Sequence, residues 1–188
     1  MKINKLGIAV GAVMSLATCL SHAASNTVSG GTIHFRGSLV DAACSVSADS
    51  ADQIVDLGQY TLHHFKSKGT ATNAIPFKIK LEDCDTTVSS TAAVAFSGQV
   101  DATSPNLLAV DSSAGGNSDN GASASGVGIQ IVDSASKNVI PDGTTFSTPK
   151  KLIDGENILD FTAHYVSTVD KPTAGQANSD ATFIMQYQ

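Results

Sequence analysis

The sequence holds little of what enzymes and membrane proteins need. After Leu20 no apolar run is long enough to span a bilayer as a helix. No later segment keeps a 3.6-residue apolar period, which argues against a helical bundle. Gly-x-Ser-x-Gly, Gly-x-x-x-x-Gly-Lys and His-Glu-x-x-His are all missing, so the common nucleophilic, phosphoryl and zinc chemistries lack their residues. Gly126-Val127-Gly128 lies in a strand pattern with no helix behind it and is a poor phosphate loop. His63 and His64 are adjacent and would face opposite ways on a strand; with His34 and His164 they make no His-x-His cluster. Glu82, Asp83 and Asp85 flank Cys84 and read as a solvated acidic turn rather than a cation site. Basic charge is also short, 11 Lys+Arg against 17 Asp+Glu, which disfavours nucleic acid and anionic lipid as partners. Neither catalysis nor a cofactor, metal or small-molecule substrate is expected.

What is present begins with a leader. Met1 to Lys5 carry Lys2 and Lys5 and no acid, Leu6 to Leu20 run largely apolar, and Ser21-His22-Ala23 offers small residues at the two positions a signal peptidase reads. Residues 1–23 are therefore expected to be a secretory signal peptide, too short and wrongly flanked for an anchor. Leu16-Ala17-Thr18-Cys19 resembles a lipoprotein site only loosely, because threonine fits poorly before the cysteine. Cleavage after Ala23 leaves Ala24 to Gln188 as a soluble exported chain, long enough for one domain with a full core. Its net charge is near −8, since the leader removes two lysines and no acid. Cys44 and Cys84 are the two cysteines left, and in an exported chain an even count reads as a disulfide. Closing a loop of about 40 residues removes roughly 4 kcal/mol of unfolded-chain entropy in the loop-closure picture.

Strand signals follow one another with turns between them. Ile54-Val55-Asp56-Leu57 is a short apolar run ended by Gly58. Ile75, Phe77, Ile79 and Leu81 alternate with Pro76, Lys78 and Lys80, and the early proline marks an edge or a strand start. Val94 and Phe96 precede Ser97-Gly98. Alternation recurs at Val127, Ile129 and Ile131, at Leu159, Phe161, Ala163 and Tyr165, and at Phe183, Met185 and Tyr187. Low charge density, 16 glycines and this pattern predict an all-β sandwich. Asp111 to Ser125 lacks large apolar residues and reads as a solvated loop, either a variable surface or a tolerated insertion.

The segment before Cys44 is unusual. From Thr32 to Leu39 the alternation is complete: Ile33, Phe35, Gly37 and Leu39 point one way, Thr32, His34, Arg36 and Ser38 the other. Such a strand wants an apolar groove on one side and water on the other. A glycine in the apolar set marks a place where the partner leaves no room for a side chain. Periodicity alone does not choose between an ordinary first strand of the chain's own sheet and a strand meant for another molecule.

Three runs, VSGGTIHFRGSLVDAACSV (Val28 to Val46), LEDCDTTVSSTAAVAFSG (Leu81 to Gly98) and GQANSDATFIMQYQ (Gly175 to Gln188), resemble the major subunit of type 1 fimbriae built by the chaperone–usher route. The resemblance implies an incomplete immunoglobulin-like β-sandwich, completed by donor-strand exchange. It implies a division into residues 24–43 as an N-terminal donor extension and 44–188 as the pilin domain. The donor residues would be Ile33, Phe35, Gly37, Leu39 and Ala43, with Gly37 at the family's small position. The final strand, Ala181, Phe183, Met185 and the penultimate Tyr187, with Gly175 ahead of it, would line the acceptor groove and bind the chaperone. Implied partners are identical or related pilin subunits, a periplasmic chaperone and an outer-membrane usher; the implied destination is the extracellular fimbrium. A minor shaft or terminator subunit is the alternative. A tip adhesin would carry a further receptor-binding domain, for which residues 24–188 leave no space.

Overall fold

A computed structural model of the chain describes residues 27–37, 39–111 and 122–188. The expected leader and most of the Asp111–Ser125 loop lie outside the described residues. The chain divides between Ser38 and Leu39 into two compact units. Residues 27–37 carry no helix or strand and are exposed throughout.

The second unit is a two-sheet β-sandwich. One sheet has the order β1 (Ser45–Val46), β2 (Ile75–Cys84), β8 (Gly155–Ser167), β5 (Val127–Asp133), β4 (Leu108–Ala109). The other is built on β3 (Thr91–Gly98), with β6 (Asp142–Phe146) and β7 (Lys150–Lys151) pairing to it, and β9 (Ala181–Tyr187) pairing to β3 as well. All these pairings are antiparallel. Between β6 and β7, Ser147 N donates to Val94 O at 2.8 Å and Val94 N donates to Ser147 Oγ at 3.0 Å, so a side chain carries the ladder across the break.

The alternation read from the sequence sets the inward faces. Ile79 and Leu81 on β2 are both 0% exposed, and Ile129, Ile131, Leu159, Phe161 and Ala163 join them in the core. Each such aliphatic contributes about 1.5–3 kcal/mol on burial. Pro76 is the second residue of β2, opposite Thr162 on β8, whereas β1 reaches β2 only at Leu81 and Glu82. The missing N–H therefore falls at a strand start with one neighbour. Phe77 and Phe161 stack at 5.5 Å, and Phe96 of the opposite sheet meets Phe161 edge-on at 5.2 Å, joining the two layers.

Two expectations change. Ile54–Leu57 is not a strand: it runs extended without a ladder, held by Gln53 Nε2 donating to Lys78 O at 3.2 Å, with only Leu57 packed on the core. An apolar run of four residues satisfies a core contact without satisfying a sheet. β3 is buried on both faces, because the small Ala93 and Ala95 are covered as well as Val94 and Phe96.

Candidate docking groove

Among the described residues β9 pairs with β3 alone, in register from Ala92 opposite Tyr187 to Gly98 opposite Ala181. Its other edge therefore offers a row of main-chain donors and acceptors without a ladder. Beside it lies a groove of about 1000 Å³ that opens the sandwich to solvent. One lip is the extended stretch through Ile54 and Leu57, and the other runs from Ser179 to Phe183. Phe77, Ile79, Phe96, Ile129 and Ile131 form the floor. Such a floor is a liability unless something covers it, since apolar surface in water costs about 25 cal/mol per Å².

Within the acceptor set, Ala181 and Phe183 line the groove, and Met185 and Tyr187 continue the same face onto the core. Ala181 is exposed and the other three are half-buried, as expected for the rim of an open cleft. Tyr187 Oη donates to Cys44 O at 3.2 Å, and burial pushes its phenol above the ordinary value. The last strand is thus tied to the start of the body. There Cys44 and Cys84 are joined as a disulfide, and Asp85 N donates to Ala43 O at 2.9 Å.

Gly175 belongs elsewhere. It lies ahead of β9 and outside the groove wall, where a Cβ would meet Ala122 O and Ala124 N at 2.4 Å. Gln176 N donates to Ala122 O and Ala124 N donates to Gln176 O, both at 2.8 Å, clamping the two segments. Its place is fixed by close backbone approach, not by groove shape.

The donor set also divides. Ile33 is 78% and Phe35 90% exposed, Leu39 is fully exposed, and a Cβ on Gly37 would meet nothing within 4 Å. Ala43 does not belong with them: at 3% exposure it is part of this chain's own core beside Cys44. Its methyl is packed within its own chain, unlike the side chains of Ile33, Phe35 and Leu39.

The polar groups hold loops. Asp133 accepts from the backbone N–H groups of Ala135, Lys137 and Thr148 at 2.8–2.9 Å. Desolvation raises its pKa, but those bonds outweigh it and the net direction is down. Thr144 and Thr145 hold Asp142 at about 2 in the same way. Among the described residues no group of three or more His, Cys, Asp or Glu is placed to hold a metal, and no helix is long and apolar enough to cross a membrane.

The family model described as "Fimbrial protein" matches residues 33–188. The chain belongs to the fimbrial protein family. This pilin is 56% identical to the fimbrial subunit type 1 of Salmonella typhimurium, over 86% of the chain and 85% of that protein. It is 46% identical to the type-1 fimbrial protein A chain of Escherichia coli K12, covering all of both. Among solved structures it resembles a chain of a chaperone–usher pilus at TM-score 0.66 and 28% identity, covering 87% of this chain and 100% of that one. The sandwich is thus the immunoglobulin-like pilin fold, and the pilin's relatives are structural subunits of extracellular fimbriae, not enzymes.

Proposed function

We propose that this pilin is a shaft subunit of a type 1-like fimbria and polymerises head-to-tail by donor-strand complementation. Residues 33–39 of one copy enter the groove beside β9 of the next and finish its sandwich. The observation that carries this reading is a matched pair on one chain. An alternating apolar segment stands in water, and an apolar groove runs beside an unladdered strand edge. Burying Ile33, Phe35 and Leu39 contributes on the order of 5–9 kcal/mol before the new main-chain bonds are counted. Contact of this kind is heterologous and does not close, so it yields a filament that supports adhesion.

On the way to the surface, a periplasmic chaperone lends a strand to the same groove, and the outer-membrane usher is where the next subunit replaces it. The leader at residues 1–23 delivers the chain to that compartment. A shaft subunit needs both the segment and the groove, whereas a terminator needs only the groove; the complete alternation at 33–39 therefore favours the shaft. A minor shaft subunit would use the same two surfaces.

Gly37 supplies the test. Leucine at this position has room in the free segment, where nothing lies within 4 Å, but would collide with a groove that admits only a glycine there. Gly37→Leu should give a folded, chaperone-bound subunit and no fibres by electron microscopy. Fibres of normal length and number would overturn the assigned register.

A further inference from the structure

The groove beside β9 stops short of one tyrosine. On the first lip Leu57 lines it and Gly58 to Tyr60 do not; on the second Ser179 lines it and Ala177 and Asn178 do not. The floor ends on Ala163 of β8 and Ile129 of β5. The next inward residue of β8 is Tyr165, which lies opposite Ile129 and packs on the core without lining the groove.

Tyr165 joins the two lips. Its Oη donates to Ala177 O at 2.8 Å, just ahead of the lip that starts at Ser179. Its ring meets that of Tyr60 edge-on at 6.1 Å, just past Leu57 on the other lip. The main chain behind it is fixed, since Thr72 N donates to Tyr165 O at 2.9 Å and Tyr165 N to Thr72 Oγ1 at 3.1 Å. Burial, with Asp56 and Tyr60 nearby, pushes the phenol above its ordinary value and keeps it a donor. The second lip is braced again where Asp111 N donates to Asn178 O at 2.8 Å. The first runs without a ladder from Leu57 to Tyr60.

A strand lent to a sheet edge can slide by two residues and keep every side chain on the same face. Alternation at 33–39 therefore leaves the register open, and the main-chain bonds are alike at each step. The phase of that segment runs on from Leu39 to Asp41, which is exposed in its own chain. We propose that Tyr165 is the end stop of the groove and a positioning residue for the lent strand, whose Leu39 comes to rest against its ring. The inference rests on the head-to-tail reading above and on antiparallel seating beside β9, the sense of every strand ladder in the body. A slide one way drives Leu39 into a ring that both lips hold in place. A slide the other way draws Asp41 in over the apolar Ile129 and Ala163, where a carboxylate loses its water without gaining a partner. In the seated register Asp41 falls at the rim, where the strand leaves for water. Tyr165 and Asp41 thus bracket the register from opposite sides.

The test uses the full chain in complex with its chaperone and follows uptake and release of synthetic peptides of residues 27–43. Leu39→Trp in the peptide should speed its release from the wild-type body roughly tenfold or more, because the stop leaves no room for a larger side chain. A Tyr165→Ala body, opened at that end, should release this peptide within about threefold of the wild-type peptide. Tyr165→Leu removes less packing, should rescue in part, and guards against a variant that fails to fold. Tyr165→Phe keeps the ring and should rescue nothing. The Ile33→Trp peptide, altered at the far end of the segment, should gain nothing from any of these bodies, whereas a general loosening would shift all peptides alike. A wild-type body that holds the Leu39→Trp peptide as tightly as the wild-type peptide would overturn the end stop. So would an equal penalty for Leu39→Trp on wild-type, Tyr165→Ala and Tyr165→Leu bodies, or rescue of Ile33→Trp instead; each would leave donor-strand exchange standing. Failure of the wild-type body to take up the wild-type peptide would count against donor-strand exchange itself.

Discussion

Residues 33–39 and 75–81 carry nearly the same pattern and meet opposite fates. At every second position the first reads Ile33, Phe35, Gly37, Leu39 and the second Ile75, Phe77, Ile79, Leu81. The second segment is laddered against β8 and ends in two side chains wholly withdrawn from water. The described residues of the first make no ladder, and its phenylalanine is 90% exposed. Alternation specifies which face of a strand is apolar; it does not specify whose core that face will enter. The single difference at the third position, glycine for isoleucine, is the local hint that the two partners differ in shape.

That contrast can be pressed at three strengths. The disulfide anchors β2 where the body begins, so Cys44→Ser/Cys84→Ser should cost the body about 4 kcal/mol of stability in denaturant unfolding, with no change in the exposure of Phe35. Next, Leu81→Ala should cost about 2–5 kcal/mol in the isolated body, whereas Phe35→Ala should cost less than about 0.5 kcal/mol there. In fibres the order should change, with Phe35→Ala weakening dissociation resistance by about 3–5 kcal/mol. A Phe35→Ala subunit destabilised as a monomer would erase the contrast.

The smallest effect is acid sensitivity within the laddered region. His164 on β8 meets Gln130 Oε1 through Nε2 at 3.0 Å, its Nδ1 is buried without a partner, and burial lowers its pKa from 6.5. The unfolded chain then takes up a proton near that pH which the folded chain resists, so stability should decline as pH falls below about 6.5. Asp133, whose folded pKa lies below 3.8, adds a second loss only as pH falls through that lower value. His164→Gln should flatten the first decline in a series of thermal melts and leave the second. An unchanged first decline would remove His164 as its cause.

Much of this architecture was legible. The inward residues of β2, β5, β8 and β9 follow from strict alternation, because a half-buried strand has no other way to place its apolar set. β6, DGTTF, was invisible: its position on β3 comes from pairing and not from any apolar period of its own. Ala93 and Ala95 concealed a doubly covered strand because methyl groups carry little pattern. Ala43 keeps the alternating phase of residues 33–39 yet packs in this chain's own core, since phase is silent about where a core begins. Gly175 was recognisable as special, but its reason, the backbone of Ala122–Ala124 pressed against it, is a long-range contact that no local spacing records.

Hydrogen exchange at the amides of residues 33–39, compared between assembled fibres and chaperone-bound subunits, separates a lent strand from a free one. Strong protection is expected in the fibre, with β9 protected in both states, and fast exchange of the segment in the chaperone complex. Fast exchange of residues 33–39 in intact fibres would contradict it, because a lent strand must be hydrogen-bonded where it is lent.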